Sequence, residues 1–575
     1  MVLGHPGRCR PRQQRGELAV GRGLRLRRRP VLPRLQPRSA TRALRPAPRV
    51  RPPLGPRRRA APRADGRPEG VAAAGARRLR TDAALVTGSH PAIAAIVDQV
   101  DELFRARVEQ GIAPSSVWGV FDRSGLVASG GHGDRGDGRS PDADTVYRIA
   151  SCTKSVTAAT LLTLVARGAL DLDAPITDFV PAFGAVTLPT PDSPVPTVRM
   201  LLTMSAGFPT DDPWADRQES ISDAELDEVL RGGLLFDSLP GTRFAYSNLG
   251  YALLGRVVAA VTGQPFTAAA SETVLRPLGL TDTVFSAAES TGFVVTGVRG
   301  HEGDWEPLPM TGPGAFSSIG GLFSTVRDLA RWATHLGSAF SAAPEPGPVS
   351  PADRRLMQQA MRVVPSSVVP GSARATAYGF GLFVEQDDRF GELVSHSGGY
   401  PGFSAHMRWS VRDGFGVVAF ENATQAKVSA VAQQAHDLVL DAALTAHTPD
   451  APGASTDVTG ASTGVVATTR ATRAAQVAVT RLLADWRDDL ADAICTPNVA
   501  MDVPYDRRRR AVAQAVADVG ADLGAAPVSE YSAAPSHLRW WLPGTCGRLR
   551  VEIRLAPAAA GRVQTLNVVA EPSER

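Results

Sequence analysis

Apolar positions along this chain change rhythm in a set order, and that order predicts an architecture. Spacing of three and four residues runs from about 91 to 111 and marks a helix. Two short runs come next, Val117–Phe121 and Leu126–Ser129, joined through Asp122-Arg123-Ser124-Gly125 as a β-hairpin. Helical periodicity returns from Ser151 to Arg167, and about 196–345 reads as a long insertion of helices and loops. Strands are predicted again at Gly379–Glu385, Ser404–Trp409 and Phe415–Glu421, the last two turning at Arg412-Asp413-Gly414, before a closing helix at about 427–446. Strands from both ends with helices between them imply an α+β fold. One lobe holds an antiparallel sheet, the other is mostly helical, and a cleft lies between them.

The flanks break this rhythm. Residues 448–472 are rich in Thr, Ser, Gly, Ala and Pro and read as a linker between a main domain at 86–447 and a second unit at 473–575. In that unit Val479, Leu482, Leu483, Trp486 and Leu490 recur at helical spacing. A second helix is expected from Asp506 to Val519, and strands at Leu538–Leu542, Leu549–Leu555 and Val563–Val569. This predicts a small α+β domain that caps the cleft, drives dimerisation or binds a ligand; the sequence does not choose. Arg507 to Arg510, at a helix start, read as a solvated face.

Charge separates residues 1–85 from the rest. Residues 1–80 carry 23 arginines against three acids, a net of +20, so the whole-chain +5 leaves −15 for everything after. With 12 prolines and no apolar rhythm, the segment is expected to be disordered. An Arg-rich arm suits nucleic acid or anionic lipid. We prefer the plainer reading, translated GC-rich sequence ahead of a later start such as Val71 or Val86, and expect no nucleic-acid partner. No apolar core of signal-peptide length succeeds the arginines and nothing reaches a membrane-spanning length, so a cytoplasmic protein is expected.

Among 62 basic residues only two are lysines, Lys154 and Lys427. A guanidinium cannot lose its proton whereas an ammonium can, so a lysine kept at a special position points to proton transfer. Lys154 stands three residues after Ser151 in Ser151-Cys152-Thr153-Lys154, where helical geometry puts both on one face. A serine hydroxyl becomes a nucleophile only beside a base, and a helix N-terminus favours a nearby oxyanion. Alone, the motif also describes a capped helix with a surface lysine.

Two further segments extend it. Tyr246-Ser247-Asn248 opens the apolar run Tyr251–Val261 and offers a second proton carrier and a neutral amide. Taken singly, Tyr246 also suits a half-buried core position. His396-Ser397-Gly398-Gly399 joins a strand start to a glycine pair, where a backbone N–H can face an oxyanion; by itself it reads equally as a turn.

In this order the three segments resemble the serine β-lactamase and penicillin-binding-protein superfamily, in the branch of class C β-lactamases, D-aminopeptidases and related esterases. The resemblance spans roughly 90–445 and implies the β-lactamase/transpeptidase-like fold. It implies Ser151 as the acylated nucleophile, with Lys154 and Tyr246 as its proton-transfer partners. Asn248 would contact a substrate amide, and the backbone N–H groups of Ser151 and Gly399 would form the oxyanion hole, beside His396 and Gly398. Where true β-lactamases have a motif like Lys-Thr-Gly, this chain has His396-Ser397-Gly398; a histidine is at most partly charged at neutral pH. The histidine form resembles the esterase and aminopeptidase relatives. Met204 stands where relatives commonly carry histidine and is expected to be structural.

The expectation is therefore a serine hydrolase working through an acyl-enzyme on small esters or peptide-type amides. The alternatives are a β-lactamase or D-alanyl-D-alanine carboxypeptidase and, from another class, a non-catalytic penicillin-recognising or scaffold protein. No cofactor and no metal site is expected, since no His, Cys or carboxylate cluster has ligand spacing. Oligomeric state stays open. Of the four cysteines, Cys152 reads as a small core residue, and only Cys495 and Cys546 suit a disulfide.

Overall fold

Among the described residues nine strands form one antiparallel sheet, and period-two alternation divides its side chains between two cores. In the computed structural model the described residues are 85–86, 91–365, 374–424, 426–447, 468–528, 530–558 and 560–573. The expectations for residues 1–84 and for most of the linker lie outside them. The strands are β1 Leu85–Val86, β2 Ser115–Asp122, β3 Gly125–Gly133, β4 Arg362–Val363, β5 Ala375–Tyr378, β6 Phe383–Asp387, β7 Gly391–Tyr400, β8 Phe403–Ser410 and β9 Gly416–Glu421. Their order is β1-β3-β2-β9-β8-β7-β6-β5-β4.

Along β9, Val417 and Ala419 join Val100, Phe104 and Ala435 in a core under two helices, α1 Val97–Glu109 and α5 Val428–His447. Val418 and Phe420, on the opposite face, enter the larger core of the helical lobe. Both faces being covered, β9 is buried throughout and apolar from Gly416 to Phe420, with Glu421 at its end pairing with Arg107 at 2.6 Å.

Three helices of the second lobe matter for the site: α2 Thr153–Ala166, α3 Asn248–Thr262 and α4 Val326–Gly337. Helix α2 is buried from Thr153 to Leu164 on every side, as an all-round apolar helix must be. Its hydroxyls are satisfied internally, Thr157 donating to the Ser318 carbonyl at 2.8 Å and Ser155 accepting from Trp332 Nε1 at 2.9 Å.

Three expectations need correction. The strand expected at Gly379–Glu385 splits, because Gly379-Phe380-Gly381 bends under α2. Gly381 has φ +72°, and a Cβ there would lie 2.5 Å from the Lys154 carbonyl oxygen, so the bend excludes any larger residue. The glycine pair Gly398-Gly399 lies within β7, and the turn falls at Pro401-Gly402. Cys495 is a free, buried thiol, so it does not pair with Cys546.

Residues from Arg470 onward build a four-stranded sheet, β10 Glu530–Tyr531, β11 His537–Gly544, β12 Gly547–Leu555 and β13 Val563–Pro572, with helices α6 Arg470–Ala484 and α7 Tyr505–Val519. Trp540, Val551, Ile553, Val479 and Val519 share its core. The helix starts inside the expected linker because the Thr469 hydroxyl accepts from Thr472 N at 3.1 Å and caps it. This unit packs directly against the helical lobe. Ser536 donates its N–H and Oγ–H to Asp237 at 2.9 and 2.6 Å, Arg507 pairs with Glu306 at 2.7 Å, and Arg217 pairs with Asp502. No helix among the described residues is long and apolar enough to cross a membrane.

Just before Ser151, Arg148 is 1% exposed; it pairs with Glu219, donates to the Gly320 carbonyl at 3.2 Å and lies over the Tyr400 ring at 3.7 Å. Breaking one side of a buried ion pair leaves the other uncompensated, at about 3–5 kcal/mol. Arg148→Met is therefore expected to lose stability of that order, measured by urea unfolding of the full chain; a change below about 1 kcal/mol would remove the pair from this role.

Candidate active site

Ser151 is presented by a strained turn. Ile149 N bonds the Leu322 carbonyl at 2.9 Å, and then Ala150 adopts φ +45° before the 3-10 turn Ala150–Cys152 runs into α2. A non-glycine residue in this left-handed region costs of order 1–3 kcal/mol and persists only where its surroundings hold it. Here β7 holds it. A Cβ on Gly398 would lie 2.1 Å from the Ile149 carbonyl oxygen, so the strand passes at backbone contact beneath the turn. The result leaves Ser151 9% exposed, on the floor of a cleft of about 1830 Å³.

One helical turn on, Lys154 Nζ is fully buried, 2.9 Å from Ser151 Oγ, 2.6 Å from Asn248 Oδ1 and 2.9 Å from the Ile319 carbonyl oxygen. Among the described residues no carboxylate lies within ion-pair distance of it. Burial lowers its pKa to about 8, opposed by the fields of Asp212, Asp216 and Asp211. Two of its neighbours can only accept. A neutral amine therefore spends both N–H bonds on Asn248 and Ile319 and turns its lone pair toward the Ser151 hydroxyl.

Asn248 is oriented from behind. Its Nδ2 donates to Asp212 Oδ1 at 2.6 Å, which fixes the amide with its oxygen toward Lys154. Asp211 receives Asn248 N at 2.7 Å and Leu249 N at 2.9 Å, capping α3 with a buried carboxyl that burial raises to about 7. The Asn248 side chain has no exposed surface, and both ends of its amide are engaged within the protein.

Asp212 is exposed to the cleft yet enclosed by protein, and burial raises its carboxyl against the opposing field of Lys154; Asp216 beside it is raised to about 8. The sequence reading missed these aspartates, because they precede Asn248 by more than thirty residues and belong to no periodic pattern.

The Tyr246 ring lies 5.1 Å from Lys154 Nζ and stacks on Phe383, with centroids 6.4 Å apart. Burial raises its phenol well above the usual range, Asp212 adds to this, and the nearby Ser151 side chain opposes it. Tyr246 is thus a proton donor in the resting site. His396 is 1% exposed, with Nδ1 2.7 Å from the Ser397 carbonyl oxygen and Nε2 3.1 Å from the Tyr378 hydroxyl. Burial, with Lys154 nearby, lowers its pKa to about 3. The ring is neutral, so it accepts from Tyr378 and donates to Ser397.

Strand β6 begins at Phe383, opposite Ser395. From His396 onward no strand among the described residues pairs with that edge of β7, which borders the cleft, Gly399 having open space where a Cβ would be. Cys152 is a core residue; burial pushes its thiol up to about 12, and its sulfur donates to the His396 carbonyl at 3.4 Å. Met204 takes φ +54°, and its sulfur accepts from Ser247 N at 3.3 Å, so it supports the start of α3.

The second unit reaches this machinery. Gln564, 1% exposed, donates to the Thr210 carbonyl at 2.8 Å and accepts from Trp214 N at 3.3 Å. It holds both ends of the turn that carries Asp211 and Asp212, and Tyr531, Pro535 and Arg554 line the cleft.

A family model described as Beta-lactamase matches residues 100–459. Esterase EstB of Burkholderia gladioli is 37% identical over 195 residues, 31% of this chain and 48% of that protein. The D-alanyl-D-alanine-carboxypeptidase/endopeptidase AmpH of Escherichia coli (strain K12) is 28% identical over 47% of this chain and 69% of its own length. The chain thus spans from about half to about two thirds of these relatives. The structure of the octameric penicillin-binding protein homologue from Pyrococcus abyssi superposes with a TM-score of 0.52 at 26% identity, covering 60% of this chain and 77% of that one.

With two lysines in the chain, specific ¹³Cε-lysine labelling gives two NMR signals, assigned by the Lys154→Arg variant. The Lys154 signal is expected to titrate near 8; a midpoint at the ordinary lysine value of about 10.4 would overturn the neutral-amine arrangement.

Proposed function

The chain belongs to the β-lactamase family, and from that premise we propose that it is a serine hydrolase acting through a covalent acyl-enzyme on small esters or peptide-type amides. The observation that carries this reading is the buried Lys154 amine, 2.9 Å from Ser151 Oγ, with its two other contacts on acceptors. The relatives' names, an esterase and a D-alanyl-D-alanine-carboxypeptidase/endopeptidase, support the two substrate classes.

In this mechanism Lys154 takes the Ser151 proton as Oγ attacks the substrate carbonyl. The developing oxyanion is met by the backbone N–H groups of Ser151 and Gly399, two residues that line the cleft. Tyr246, protonated and lining the cleft with Ser151, passes a proton to the leaving group as the carbonyl reforms, and its phenol is restored from Lys154. Water then attacks the acyl carbonyl and the same groups act in reverse. Asn248 and Asp212 hold the amine in place.

The third motif argues for esters over β-lactams. A β-lactam brings a carboxylate, and His396 is neutral and committed to Tyr378 and Ser397. Short-chain esters make no demand for charge there. Wild type is expected to show a higher kcat/KM for p-nitrophenyl butyrate than for nitrocefin, and Ser151→Ala to lose ester turnover on the order of 10³-fold or more. Preference for nitrocefin would move the chain to the β-lactamase reading. A stable penicillin adduct without turnover would move it to the non-catalytic one.

Because the amine must be neutral to accept a proton, kcat/KM is expected to rise with pH about a midpoint near 8. Lys154→Arg, which cannot accept a proton, is expected to retain less than about a tenth of the activity, one pKa unit in free energy. A flat profile from pH 6 to 9 in wild type would remove Lys154 from the base role.

A further inference from the structure

Strand β12 alternates strictly, with Leu549, Val551, Ile553 and Leu555 in the core of the second unit and Arg548, Arg550, Glu552 and Arg554 on its other face. Three of those four charges are matched. Arg548 and Arg550 reach Glu571 at 2.7 and 3.2 Å, and Glu552 takes His537 at 2.9 Å and Arg539 at 3.1 Å. The Arg554 guanidinium forms no hydrogen bond or ion pair among the described residues, and of the four Arg554 alone lines the cleft that holds Ser151.

The nearby carboxylates are already engaged. Asp237 takes two hydrogen bonds from Ser536, and Asp212 takes one from Asn248. Burial lowers the Arg554 pKa, opposed by the fields of Asp237, Glu552 and Asp212; a guanidinium stays charged in any case, so Arg554 presents a cation within electrostatic reach of Asp212 without pairing it. A half-buried arginine in an enclosed cleft with free donors is a site for a planar anion, because its fork matches a carboxylate in two parallel bonds. The third motif, where a charge would otherwise be sought, is neutral.

We propose that Arg554 is a specificity-determining residue that binds a carboxylate carried a few bonds from the scissile carbonyl, so that the second unit selects anionic esters or amides. The proposal rests on the hydrolase reading above. It differs from recognition at the third motif, since the cation is supplied from outside the lobe that bears the nucleophile.

Two matched substrate pairs test it: p-nitrophenyl hydrogen glutarate against p-nitrophenyl valerate for a carboxylate on the acyl side, and 4-carboxyphenyl butyrate against phenyl butyrate for one on the leaving group. Arg554→Gln is expected to lower kcat/KM at least tenfold for the charged member of one pair, with the neutral member within twofold, and Arg554→Lys to restore part of the loss. Calorimetric binding of glutarate to the full-length protein, weakened at least tenfold by Arg554→Gln, is the reading that stands even if no ester is hydrolysed. Absence of ester turnover with Arg554-dependent glutarate binding would sink the ester reading alone. Unchanged charged-to-neutral ratios on both pairs, a parallel loss of charged and neutral substrates, or glutarate binding indifferent to Arg554 would overturn this proposal.

Discussion

Everything at this site depends on keeping one amine buried without a counter-ion. A lysine in low dielectric is stable only if it sheds its charge or finds full compensation, and Lys154 sits between those limits, with two fixed acceptors and three aspartates near but not touching. Each neighbour has a definite part in that balance. Asn248 accepts but cannot ionise, so it directs the amine without fixing a proton on it. A carboxylate in its place would hold the lysine charged and remove the lone pair that the serine needs. The carboxylates are set one residue back, behind the amide and under the end of α3, where they contribute a field rather than a bond.

That arrangement reaches well beyond the cleft. Asp211 caps α3 and so sets where Asn248 stands; the turn carrying Asp211 and Asp212 is held at Thr210 and Trp214 by Gln564. Gln564 comes from β13, 350 residues further along the chain than the Trp214 it holds. Loss of its side chain would take a donor from the Thr210 and Leu555 carbonyls, while Trp214 N keeps its bond to the Asp211 carbonyl; a buried polar group left unpaired costs about 1–3 kcal/mol. The second unit is thus joined to the amine through an unbroken series of hydrogen bonds, and its strand β12 also supplies a charge to the cleft wall. Packing of this kind means that the composition of a linker says little about whether the unit on its far side is independent.

The sequence made legible whatever depends on local chemistry. Ser151 and Lys154 share a face because helical spacing requires it, and Tyr246 precedes α3 as the apolar run after it suggested. The α+β layout came from where the strands and helices fell. Contacts made by backbone shape were harder to read. Gly381 and Gly398 look like ordinary turn glycines, yet one makes room for the Lys154 carbonyl and the other for the Ile149 carbonyl. The strand through His396–Gly399 looked like a turn because a glycine pair lacks the side chains that give a strand its alternation. Asp211, Asp212, Gln564 and Arg554 carried no signal at all, since each acts through a partner that only the folded chain brings near. Asn248 was legible by its place after Tyr246, whereas its bonds to Lys154 and Asp212 depend on the folded chain.

The aspartates also shape how the site exchanges protons. Asp211 and Asp216 are raised by burial to about 7 and about 8, the range in which Lys154 itself loses its proton. The sign comes from their positions: as pH rises each carboxyl ionises, and the new negative charge makes the amine hold its proton more firmly. The groups therefore titrate as a set, and the neutral amine accumulates more gradually with pH than a single isolated lysine would allow. Removing one of these carboxyls by an amide of the same shape would steepen that rise and shift it toward lower pH, whereas removing Asn248 would change the direction of the lone pair without altering the charge around it. Field and orientation are thus carried by different residues, which is why a neutral amide stands between the lysine and its acids.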